Sequence, residues 1–147
     1  MPHAPPFIRD IKRRGARRQG IKYEEKVHEN FSCVYREQYL AGQWFQFLAR
    51  GDRAPRWCQA DALLIDIERG IITLVEVKYN HTALAWWQLK KLYLPVVQAI
   101  FGGGWAYATC EVVKWFDPHV PLPEPVAMRR HLHDARPGEM ALHIFNP

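Results

Sequence analysis

Trp57-Cys58-Gln59-Ala60-Asp61-Ala62-Leu63-Leu64-Ile65-Asp66-Ile67, then Glu68-Arg69-Gly70, then Ile71-Ile72-Thr73-Leu74-Val75-Glu76-Val77-Lys78 is the stretch on which the fold turns. Two hydrophobic runs flank a three-residue turn whose glycine stands where a positive φ is needed, the pattern of a β-hairpin. The run from Ile71 to Val77 is nearly continuous in apolar residues, as in a strand covered on both faces. Side chains at i and i+2 of a strand share a face, so Glu76 and Lys78 stand side by side, and the hairpin brings Asp61 toward them. Acid–lysine pairs at this spacing also decorate solvated strands. Inside an apolar run, however, charges carry a cost unless they lie at its exposed end, and ionisable groups clustered there point to a site. Two carboxylates and a lysine at a sheet edge suit a hard divalent cation with a water activated beside it.

The neighbouring sequence supplies the rest of a layered domain. Gly20 to Phe31 predicts an amphipathic helix, with Tyr23, Val27 and Phe31 on one stripe. Thr82 is a fitting N-cap for a second helix running to about Phe101, which Pro95 should kink or split. Gln43 to Ala49 predicts a first strand, and Trp105 to Phe116 a fourth after the breaker Gly102-Gly103-Gly104. The crossover through the second helix suits a parallel pairing of the third and fourth strands. At 147 residues and 48% hydrophobic, the chain fits one domain with one core. No apolar run reaches the roughly 20 residues that span a bilayer, and no signal-peptide pattern opens the chain, so a cytoplasmic protein without a membrane partner is expected. Cys33, Cys58 and Cys110, odd in number and set in apolar sequence, read as reduced core thiols.

Asp61, fourteen intervening residues, then Glu76-Val77-Lys78 resembles the active-site signature of the PD-(D/E)xK nuclease superfamily, with Ala60 where the family often has proline. Gly20-x-x-x-Glu24 is similar to the first-helix pattern of resolvase-like members, with Glu25 as the competing position. Gln88 and Tyr93 resemble a helix pair of exonuclease-like relatives, although they are five residues apart where four would stack better. The resemblance covers residues 20 to 116. It implies an α/β, restriction-endonuclease-like αβββαβ core with a mixed central sheet flanked by helices. It further implies a divalent-metal-dependent DNA endonuclease without strong sequence specificity, of the Holliday-junction-resolvase or phage type and expected as a homodimer. Asp61, Glu76 and the Val77 carbonyl would hold Mg2+ or Mn2+, Lys78 would orient or deprotonate a water, and Glu24 and Gln88 would complete the set.

Charge is uneven along the chain. The net charge is +5, yet residues 1 to 22 alone carry seven cations against the single acid Asp10, leaving the rest near neutral. Residues 1–19 therefore read as a basic arm before the 20–116 core, with Arg13, Arg14, Arg17, Arg18 and Lys22 as candidates for phosphate contacts. A solubilising tail, or one that docks on an acidic protein, is the plainer alternative. Residues 117–147 form a Pro-rich extension expected to pack on the core, with a short helix over Val126 to Arg136 and a strand over Met140 to Phe145. His131 and His133 lack a third ligand and read as structural, and His119 and His143 have no evident partner. A non-catalytic nucleic-acid-binding module of the same fold, or a structural protein with an incidental Glu-Val-Lys, are the competing functional classes.

Overall fold

Among the described residues, the hairpin lies at the centre of a six-stranded sheet. The computed structural model describes residues 16–147. In chain order its elements are α1 (Ala16–Tyr35), β1 (Tyr39–Phe47), β2 (Arg56–Asp66), β3 (Ile71–Asn80), α2 (Ala83–Trp87), α3 (Leu94–Phe101), β4 (Ala106–Trp115), β5 (Val126–Met128) and β6 (Met140–Ile144). The strands lie in the order β1-β2-β3-β4-β6-β5. Pairing is antiparallel from β1 to β3 and parallel from β3 onward, so the sheet is mixed and the architecture α/β. The β2–β3 turn uses Gly70 at φ +66°, a conformation costly for any residue with a Cβ.

Each face has its own core. Tyr23, Val27, Phe31 and Tyr35 recur along α1 at a spacing of four and pack on Ala62, Leu64, Val75, Val77, Ala108, Cys110 and Val112. On the opposite face, Leu89, Tyr93, Val96 and Val97 cover Leu63, Ile72 and Leu74. Phe31 is almost fully buried and meets the rings of Tyr35, Tyr39 and Phe145. Truncating it to alanine would cost about 3–5 kcal/mol.

The second helical segment differs from expectation in an informative way. Gln88–Tyr93 forms a widened π turn between α2 and α3, and the Leu94 N–H donates to the Leu89 carbonyl five residues back. Pro95 follows directly at the start of α3. Proline has no N–H and its ring crowds the carbonyl one α-helical turn back, so the extra residue in the turn accommodates it without a break. Thr82 caps α2 as expected, its hydroxyl accepting from the Ala85 N–H.

Elsewhere boundaries shift and two expectations fail. Helix α1 begins at Ala16, so Arg17 and Arg18 belong to the helix rather than to a separate arm, and the first strand starts at Tyr39 rather than Gln43. No helix forms over Val126–Arg136. Pro125 and Pro137 bracket the segment, Val126–Met128 is captured by β6, and only a 3-10 turn forms at Leu132–Asp134. Pairing with a neighbouring strand outweighs weak helical preference there. The strand expected over Met140–Phe145 forms as β6, which slots in beside β4, so the C-terminal extension adds to the sheet. Cys58 and Cys110 are buried as expected, but Cys33 is exposed on α1; all three are free thiols. No helix among the described residues is long and apolar enough to cross a membrane.

Candidate active site

The sheet forks at the residues that bear charge. Strands β2 and β3 pair from Asp66–Ile71 as far as Ala62–Val75, and no further. Beyond that point β2 stays with β1 down to Arg56, while β3 stays with β4 out to Asn80. Asp61 and Glu76 are the first residues past the last pair, so they sit in the crotch of the fork. The Asp61 carboxylate takes over the missing ladder bond, accepting from the Val77 N–H at 2.7 Å. The N–H and C=O of one strand residue point to the same side, so the Val77 carbonyl also faces the opening.

A break in alternation marks the same spot. Cys58 and Ala60 belong to the core under α2–α3, yet Ala62 and Leu64, also even-numbered, belong to the core under α1. Strict period-two alternation would keep all four on one face. The strand changes phase at Asp61, and opposite it β1 does the same at Gly42, where φ is +66° and no register pair forms. Only glycine adopts that conformation without strain. The two irregularities face each other at the point where β2 leaves β3.

Inside the fork, charge is concentrated and under-satisfied. Glu76 is 2% exposed, which corrects the expectation that it stands at the exposed end of the sheet. Its Oε1 receives the Lys78 ammonium at 2.9 Å, and its Oε2 has no hydrogen-bond partner among the described residues. Burial and the neighbouring Asp61 charge push the Glu76 carboxyl up to about 8, against the pull of Lys78. Burial and the Glu24 charge push Asp61 up to about 6, while the Val77 N–H and Lys78 hold it down. Two carboxyls that resist ionising side by side, with one bare oxygen, are groups that could hold a cation.

Glu24 approaches from α1. It is half-buried and bonds the His28 ring at 3.3 Å, whose other nitrogen meets the Tyr39 hydroxyl at 2.6 Å. Glu25 is exposed one residue on, so Glu24 is the acid turned toward the site. From α2–α3 comes Gln88, whose Nε2 donates to the Tyr93 hydroxyl at 3.2 Å. A π turn holds more than four residues, so side chains five apart stack, and the spacing that looked wrong for an α-helix is right for this one. Tyr93 adjoins the acids, for its hydroxyl is pushed up by burial and by the Glu76 and Asp61 charges. Gln88 Oε1 is buried without a partner. Among the described residues, it and Glu76 Oε2 are the two buried side-chain atoms left unsatisfied. Native proteins satisfy such groups almost everywhere, and each exception calls for a reason, such as strain, a catalytic role, a water or an ion.

The basic residues are only partly gathered. Arg17 lines an open groove of about 440 Å³ with Gly20, Glu24, Val77 and Lys78, and Lys22 lines the adjoining hollow. Arg18 is exposed and lines neither, while Arg13 and Arg14 lie outside the described residues. Among the described residues no three His, Cys, Asp or Glu side chains gather as metal ligands, so a cation would rest on two carboxylates and the Val77 carbonyl. His133 bonds Gln38 and His143 bonds the Arg129 carbonyl, both structural contacts.

Sequence reasoning overlooked one pair. Glu111 on β4 is the register partner of Glu76 and fully buried. Its Oε1 bonds His81 Nδ1 and its Oε2 accepts from the Thr82 N–H at 3.2 Å. The signal that flagged Glu76, an acid inside an apolar run, was present in Thr109-Cys110-Glu111-Val112-Val113 as well. Compared with protein-family models, curated proteins and solved structures, the chain matches none.

Proposed function

We propose that this chain is a divalent-metal-dependent DNA endonuclease on a restriction-endonuclease-like core, selective for nucleic-acid structure rather than sequence. The observation that carries the proposal is the fork. It brings Asp61, Glu76 and Lys78 together and leaves Glu76 Oε2 buried without a partner. Asp61, Glu76 and the Val77 carbonyl, all hard oxygen donors, fit Mg2+ or Mn2+. Such an ion would polarise the scissile phosphate and acidify a bound water. Lys78 does the work nearest to solvent. Its ammonium has three N–H donors, Glu76 takes one, and the others are available to a water and a phosphate oxygen. In that position it orients the attacking water and offsets charge gathering on the phosphate. Glu24 supplies a further acid at the rim, and Gln88, held by Tyr93, a polar group on the opposite wall.

Cutting both strands of a duplex needs two such sites, which supports a homodimer. The test is nicking of supercoiled plasmid with Mg2+ or Mn2+, beside a chelator control and Asp61→Ala. The expected result is nicking by wild type alone and only with the metal. Plasmid binding without nicking by wild type would favour the non-catalytic binding module. Neither binding nor nicking would leave a structural protein.

A further inference from the structure

Past the acids, the ends of β3 and β4 carry a different chemistry. The Lys114 ammonium lies 5.3 Å from the centre of the Tyr79 ring and 5.9 Å from that of Trp115. Trp115, in register with Asn80, is 55% exposed, an unusual position for the largest apolar side chain. Tyr79 is steadied from behind by Tyr23, edge-on at 5.9 Å. It is also the shared wall of two openings. One is the groove that holds Glu24 and Lys78, and the other is a hollow of about 170 Å³ lined by Lys22, Lys26 and Lys114. Lys22 and Lys26 are four apart on α1 and so stand in line along that hollow.

Lysines in a row serve any nucleic acid, because every backbone carries phosphate. An exposed indole beside them, next to the half-buried Tyr79 ring, does not. In an intact duplex the base faces are hidden in the stack, whereas an unpaired base offers both faces to an aromatic side chain. We propose that Tyr79, Lys114 and Trp115 form a stacking platform for unpaired bases. The strand's phosphates run over Lys22 and Lys26, so the site receives single-stranded or flayed nucleic acid rather than closed duplex. This rests on the nuclease reading of Asp61, Glu76 and Lys78, but the platform is testable without it.

The experiment measures binding of the full-length protein, in Ca2+ to prevent cleavage, to a labelled oligonucleotide offered as a single strand or as a blunt duplex of equal length. Trp115→Ala is expected to weaken single-strand binding by roughly 5- to 100-fold, the worth of one aromatic–base stack, and duplex binding by less than about twofold. Trp115→Phe should restore most of the single-strand affinity, and Lys22→Ala should weaken both substrates. Equal losses on the two substrates for Trp115→Ala, or no loss on either, would overturn the platform. So would a fall in sedimenting mass without a change in binding, which would make the cluster an interface between copies. Strand preference that persists in a wild type unable to cleave in Mg2+ would sink the nuclease proposal and leave the platform standing.

Discussion

Glu76 and Glu111 are the same residue type, neighbours in register on adjacent strands, on one face of the sheet and equally buried. They are finished differently. Both oxygens of Glu111 are taken, one by His81 and one by the Thr82 N–H. Glu76 has one oxygen on Lys78 and one without a partner among the described residues. Burial pushes both carboxyls up, but at Glu111 the His81 and Thr82 bonds oppose it, whereas Asp61 adds to it at Glu76. A buried acid with every bond made is a brace for the chain. One with a bond left over, next to a second acid, is the group on which the proposed cation would rest, and it lies where β2 and β3 part.

The comparison breaks most sharply at Glu76 itself. Glu76→Gln keeps the shape and removes the charge, and is expected to cut cleavage by more than about 1000-fold, as is Asp61→Ala. Glu76→Gln should melt no lower than wild type in chelator at alkaline pH, because a costly buried carboxylate has gone. A variant that cleaves at the wild-type rate would dissolve the contrast. Glu111→Ala should do the reverse. It strands His81 and the Thr82 N–H and is expected to cost about 2–4 kcal/mol in denaturant unfolding. Cleavage per folded molecule should change by less than about tenfold.

Acidity sharpens the comparison further. Asp61 at about 6 and Glu76 at about 8 bind protons more tightly folded than unfolded. Their contribution to stability is therefore full below the ordinary carboxylate range and is lost as pH rises through those two values. Melting temperatures in chelator should fall as pH rises toward those values, with Glu76→Gln flattening the upper part. Mn2+ should restore stability, and most at the alkaline end, since it needs both groups ionised. A flat profile would mean that the two acids do not resist ionisation together. The smallest effect belongs to Gln88→Ala, expected to slow cleavage by about tenfold with stability unchanged or raised, because a buried orphan oxygen is removed.

Much of this was legible in the chain. The Asp61 and Glu-Val-Lys pattern, the glycine of the hairpin turn and the parallel crossover all rest on local periodicity, which sequence reports directly. What escaped rests on geometry between distant residues. The fork coincides with a concerted phase change at Gly42 and Asp61, on two strands, and neither residue announces it alone. The Glu111–His81 pair spans thirty positions. The short edge strand Val126–Met128 exists only because β6 is there to pair with it, and its own letters favour something else. The depth of Glu76 was underestimated for a related reason: a run of apolar residues tells which strand is covered, not how far along it the cover extends.

The π turn between Trp87 and Leu94 has a consequence for how this stretch can vary over generations. It is what an α-helix becomes when it holds one residue more than its height allows, and that surplus both aligns Gln88 with Tyr93 and makes room for Pro95. Exposed letters within it, such as Lys91, are therefore open to exchange. The count is not: a single deletion would tighten the turn, drive the proline ring against the carbonyl before it and turn the wall behind the acids by about 100°. The segment is free in spelling and fixed in length.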